Sequence, residues 1–200
     1  MGESAGAASA HFQATATSYA NDGLFQRIIL QSGSANCPWA WTSKTSAASA
    51  ASRLLEISGC NSLAQLQLAS FDDLVKAAIK INGLGHNLFR PTPDASDFFG
   101  GLSLRPSLGC PLASLVGLNA DEGAFLTAGL LGSGEAGLKR ASRLLQAALL
   151  LHDKSEANEV RRHYLEGEAI NWTTADHLTR AISDGLFGYP LQLFLQSTVG

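Results

Sequence analysis

Gly2-Glu3-Ser4-Ala5-Gly6 governs how the rest of the chain is read. Gly-x-Ser-x-Gly is the form of a sharp turn from a β-strand into a helix. Glycines without a Cβ let the strand and helix approach closely, while the serine between them is held in a strained conformation with its hydroxyl exposed. The alanine-rich, proline-free run from Ser4 to about Tyr19 suits the helix that must follow. The N–H of Ala5 and the positive end of that helix would then face an oxyanion forming beside the serine. Met1 stands where the last residue of the preceding strand belongs.

Working outward, Asn21-Asp22-Gly23 supplies a turn, and Arg27 to Gln31, with Ile28, Ile29 and Leu30, suits a buried parallel strand. Ser32-Gly33-Ser34-Ala35 ends that strand. A helix is expected from about Ala47 to Ile57 with Gly59 as its stop. Another is expected from about Phe71 to Ile81, opened by Ser70 with Asp73 three residues on. Asn82 to about Gly109 is loop-like, and Leu112 to Leu118 is a second candidate buried strand. Helical patterning follows over about Gly137 to His152, Ser155 to Leu165 and Thr174 to Phe187. A last helix starts at Pro190, where proline suits a first turn. Few strands and many helices predict part of an α/β architecture with an incomplete sheet.

Composition bounds the function. With 46% apolar and 16% charged residues the chain is globular rather than disordered. A net charge of −3 with no basic cluster argues against nucleic acid as a partner. The longest apolar stretch, around Leu144 to Leu151, is too short to span a bilayer. The opening residues have neither the charged leader nor the apolar core of a secretory signal. Cys37, Cys60 and Cys110 form no metal-ligand spacing and read as small buried thiols, so no metal or cofactor is expected.

A serine hydroxyl needs a general base, and the base an orienting carboxylate. In open α/β sheets such groups sit beyond the carboxyl ends of strands. Asn119-Ala120-Asp121-Glu122-Gly123, just past Leu115 to Leu118, offers an acidic pair there; an ordinary polar turn is the better reading from the residues alone. None of the histidines fits the base. His11 lies two helical turns past Ser4, and His86, His152, His163 and His177 read, with it, as surface or loop residues.

Several strings resemble the type-B carboxylesterase family, in its cholinesterase-like branch. They are Gly2 to Ala7, Leu24-Phe25 with Ile29 to Ser34, Asn36-Cys37-Pro38-Trp39-Ala40, Phe89 to Asp94, Gly117 to Gly123, and Ser183-Asp184 with Phe187 and Pro190. They fall in family order and span nearly the whole chain. The resemblance implies a partial α/β-hydrolase fold with a helix-rich C-terminal part. It makes residues 1–200 a single partial domain truncated at both ends, secreted or at the cell surface. It makes Ser4 the nucleophile, Glu122 rather than Asp121 the triad acid, and Ala5 an oxyanion-hole donor. Ser32 would help to hold Glu122. Glu3, Trp39 and Phe125 would line the substrate site, although Trp39 and Phe125 equally suit core aromatics.

The departures narrow what is implied. The family's catalytic histidine would fall beyond Gly200. A family disulfide partner of Cys60 is replaced by Gln65, and a common cysteine before Pro190 by Tyr189. Asp184 reads as structural, and Asn171-Trp172-Thr173 fits a glycosylation sequon. The expected activity is hydrolysis of small carboxylic esters, cholinesterase-like in its finer form, with these 200 residues inert alone. A lipase, or an adhesion protein that shares the fold but has lost the nucleophile, is the alternative; the serine favours the enzyme.

Overall fold

A computed structural model describes residues 1–15, 24–82, 89–92, 113–131, 163–164 and 174–198. The chain forms two compact units, one of Met1–Pro38 with Ser103–Gly200 and one of Trp39–Leu102.

In the first unit, β1 (Gly2–Glu3), β2 (Arg27–Gln31) and β3 (Ala113–Gly117) form a parallel sheet in the order β1-β2-β3. The register sets Glu3 opposite Gln31 and Gln31 opposite Gly117, so all three strands finish along one edge. Helix α1 (Ala5–Thr15) starts immediately after Ser4. It buries Ala7, Ala8, His11, Phe12 and Ala14, and Ala7 and Ala14 join Ile28, Leu30, Leu191 and Phe194 in one core. Leu30 and Phe194 are fully buried, each contributing about 1.5–3 kcal/mol of apolar transfer.

β2 has the expected limits and buries alternate residues. β3 also forms where expected, but its burial was misjudged: Leu115 stays 65% exposed. An apolar run of that kind suits a strand covered on both faces, and among the described elements β3 packs mainly against β2, which covers its edge and not its faces.

Helix α5 (Ala124–Leu131) follows β3, and α6 (Thr174–Ser183) packs against it through Leu178, Ala181 and Ile182 with Leu126. A π-helical turn (Asp184–Gly188) joins α6 to α7 (Tyr189–Thr198). Pro190 was expected to open a helix. It falls in the first turn of α7, at the second position, directly behind a turn whose last N–H, from Tyr189, reaches back to the Asp184 carbonyl. The wider turn absorbs the backbone hydrogen bond that proline cannot make.

The second unit holds α2 (Lys44–Ser58), α3 (Leu63–Leu68) and α4 (Phe71–Asn82), with Ala50, Ala77 and Ile81 buried. Gly59 ends α2 in the left-handed conformation at φ 69°. Ser70 Oγ accepts from Asp73 N–H at 3.2 Å and donates to its carboxylate at 2.7 Å, which is the expected start of α4. Gln65 stands where the resemblance puts a cysteine. Its Oε1 accepts the Asn61 N–H at 2.6 Å while Ser62 Oγ accepts the Gln65 N–H, so a hydrogen-bonded cap spans that turn. The turn at 21–23, the loop core, the helices expected within 137–165, the sequon and Cys110 lie outside the described residues.

Candidate active site

Ser4 closes β1 with φ 53°, a value rare outside glycine. Two forces hold it there. Its N–H donates to the Gln31 carbonyl at 2.9 Å, continuing the ladder onto β2. Its own carbonyl accepts from Ala7 and Ala8 at 3.0 and 3.1 Å, starting α1. The chain therefore reverses from strand to helix within one residue, and the half-buried Ser4 side chain stands at the strand end. Ala5 is exposed at the first helical position, where an N–H has no acceptor within the helix. The expected use of both glycines divides. A Cβ on Gly2 would collide with the Gly6 carbonyl and lie 2.6 Å from Ala7 N, whereas a Cβ on Gly6 meets nothing within 4 Å.

Ser32 closes β2 in the same way. Its φ is 56°, and its N–H donates to the Gly117 carbonyl of β3 at 2.8 Å. The next strand end carries Glu122, only 8% exposed. Its Oε1 accepts the Asn119 N–H at 2.7 Å and its Oε2 the Asn119 amide at 3.3 Å, and Ser32 Oγ donates to the same carboxylate. The Asn119 amide also reaches Ser32 Oγ at 3.4 Å. Burial alone pushes the carboxyl pKa up. The bonds from Ser32 and Asn119 outweigh it, and Glu122 sits below its ordinary value. It is ionised at neutral pH. Asp121, its neighbour, is exposed and receives none of these bonds.

The structure thus brings Ser32 and Glu122 into contact and sets Ser4 on the same sheet edge, the strands β1 and β3 lying two strand spacings, about 10 Å, apart with β2 between. Glu3 is exposed beside Ser4, and Phe125 is 69% exposed three residues past Glu122. Trp39 is half-buried in the second unit.

His11 corrects the expectation of a surface residue. It is fully buried, its Nδ1 accepts the Ala35 N–H at 3.0 Å, and its ring meets Phe194 edge-on at 4.7 Å. It fastens α1 to the turn after β2. His163 is exposed and His177 half-buried, while His86 and His152 lie outside the described residues. Cys37 is buried, and burial pushes its thiol up to about 11 despite the Ser34 N–H on its sulfur. Asp184 is structural as expected, its carboxylate accepting from Tyr164 at 2.7 Å. Among the described residues no group of three His, Cys, Asp or Glu converges as metal ligands.

Asn119 has no role evident from its motif alone; its position three residues before Glu122 is the signal that could have found it. Ser183 is legible only within the string Ser183-Asp184, and nothing in that string points to the loop it binds.

A model of the carboxylesterase family matches residues 1–199. The chain belongs to the carboxylesterase family. Its parallel sheet and helices agree with the α/β-hydrolase fold of that family, whose members act on carboxylic esters. Comparison with curated proteins returns no match.

Proposed function

We propose that this family member hydrolyses esters through an acyl-enzyme on Ser4. The observation that carries the reading is the elbow: a left-handed serine between strand and helix, on the same sheet edge as a buried, ionised carboxylate. β1 and β3 lie two strand spacings, about 10 Å, apart with β2 between, and in this reading one imidazole bridges the side chains carried beyond their ends. The base in this reading is a histidine outside the five of this chain. It takes the Ser4 proton as Oγ attacks the ester carbonyl. The tetrahedral oxyanion is met by the Ala5 N–H and the positive end of α1. The imidazolium, steadied by Glu122, returns the proton to the leaving alcohol, and water activated by the same base then releases the acid.

The finer reading is cholinesterase-like: an alcohol with a cationic head, drawn by the exposed Glu3 beside Ser4 and the open ring face of Phe125. In it, residues 1–200 are one partial domain of a secreted or cell-surface enzyme, and the sheet is completed by further strands. The test uses the full-length protein. A fluorophosphonate should label it, and Ser4→Ala should abolish both labelling and p-nitrophenyl acetate turnover. Turnover that survives Ser4→Ala sinks the proposal. Acetylthiocholine compared with its uncharged carbon isostere, in wild type and Glu3→Gln, tests the finer part; no preference for the cation removes it.

A further inference from the structure

Glu122 is held from two directions, and only one belongs to its own strand end. Asn119 and Ser32 hold the carboxylate. On the other side, Gly123 is buried against α6 so closely that a Cβ there would strike the Thr179 carbonyl and lie 2.9 Å from Ile182 Cβ. At that point the Gly123 N–H donates to Ser183 Oγ at 2.8 Å. The Ser183 proton is itself committed to the Thr179 carbonyl at 2.8 Å, one helical turn back. The hydroxyl is therefore polarised, with its proton on the helix and its lone pairs turned to the loop.

We infer that Ser183 is a positioning residue for the triad acid. The inference rests on the reading of Glu122 given above. Gly123 follows Glu122 directly, so the bond fixes the peptide from which the carboxylate-bearing residue leaves the loop. Ala124 N–H to Asp121 O at 3.0 Å and Thr127 N–H to Gly123 O at 2.9 Å carry that constraint on into α5. Loss of the Ser183 oxygen leaves a buried N–H without an acceptor, and the loop relieves this by moving off α6 and turning the carboxylate from its base. A shift of that kind weakens the transition state more than substrate binding, because Glu122 acts on the imidazolium that forms during reaction.

The experiment compares Ser183→Ala, Ser183→Cys, Ser183→Thr and Glu122→Gln in the full-length enzyme, following kcat and KM for p-nitrophenyl acetate against pH. Ser183→Ala should lower kcat about tenfold with KM within about twofold, and should move the acidic limb of kcat/KM to lower pH as the imidazole loses its carboxylate. Ser183→Thr, which keeps the hydroxyl, should restore both. Where Ser183→Ala does not fold, Ser183→Cys, close in size and a weak acceptor, should show the same acidic-limb shift. An unmoved acidic limb in Ser183→Ala or Ser183→Cys overturns the inference, whatever happens to stability. Glu122→Gln separates the two readings: it should cost at least about 10²-fold, and if it does not, Glu122 is not the acid and the fault lies in the reading beneath.

Discussion

Replacing Gly2 and Gly6 one at a time asks whether the elbow is limited by space or by sequence pattern. The two glycines are equivalent in the motif and unlike in the structure. A Cβ on Gly2 lies 2.6 Å from Ala7 N, against the 3.4 Å at which ordinary contact begins, and still nearer the Gly6 carbonyl. Relief needs the first turn of α1 to retreat by about 1 Å or more. That turn cannot retreat freely, since Ala7 and Ala8 are buried, both donate to the Ser4 carbonyl, and His11 is bonded to the Ala35 N–H. Gly2→Ala should therefore cost about 3 kcal/mol, the upper end of overpacking, or about 6–12 °C in Tm for a unit of this size. Gly6→Ala meets nothing within 4 Å and places the best helix former in α1. It should be neutral or stabilising by up to about 1 kcal/mol. Thermal unfolding of the full-length variants, with fluorophosphonate labelling of Ser4 alongside, gives both readouts. If Gly6→Ala costs as much as Gly2→Ala, or Gly2→Ala shifts Tm by less than about 2 °C, the steric account of the elbow is wrong.

Glu122 is below its ordinary 4.5 in the folded chain, so its contribution to stability is full above that value and is lost as pH falls through the folded one. Acid titration of Glu122→Gln should thus show a shallower loss of stability below about pH 4.5 than wild type. His11→Ala removes a fully buried ring and strands the Ala35 N–H; it should cost about 3 kcal/mol in urea unfolding, and His11→Asn, whose Oδ1 can replace Nδ1, should recover part of it. With its thiol pushed up to about 11, Cys37 should resist iodoacetamide at pH 8 while the half-buried Cys60 reacts, as peptide mapping of the folded protein would read.

What the sequence made legible were the parts fixed by local chemistry. β2, the left-handed stop at Gly59 and the Ser70 cap follow from β-branched residues, a glycine and a hydroxyl close along the chain. Helix α5 escaped notice because Ala124 to Leu131 has Thr127 as its single polar side chain before the glycine, so no polar face marks a helical period. In α1 the small alanines hid the buried stripe, although Ala7, Ala8, His11 and Phe12 stand at helical spacing and could have placed His11 inside. In the site, Ser4 and Glu122 were legible as motif members, and Asn119 could have been. The Gly123–Ser183 bond joins residues 60 apart, and only packing of α6 on the acid loop brings them together.

Strain at the strand ends is the thread that joins these parts. Ser4 and Ser32 each occupy the left-handed region, at a cost of about 1–2 kcal/mol apiece, and each donates its N–H to the last carbonyl of the next strand. The ladder bond explains how the conformation persists. At both serines the N–H beyond the last strand residue stays bonded to the neighbouring strand while the chain turns away with φ positive. The turn then lifts the side chain off the end of the sheet. On β1 this sets the half-buried Ser4 hydroxyl at the strand end; on β2 the Ser32 hydroxyl bonds Glu122 in the loop past the next strand. Glycine would relieve both positions and would delete both hydroxyls. Strain without glycine is therefore itself a reason to assign chemistry to these serines, and it falls where the sheet edge brings neighbouring strand ends together.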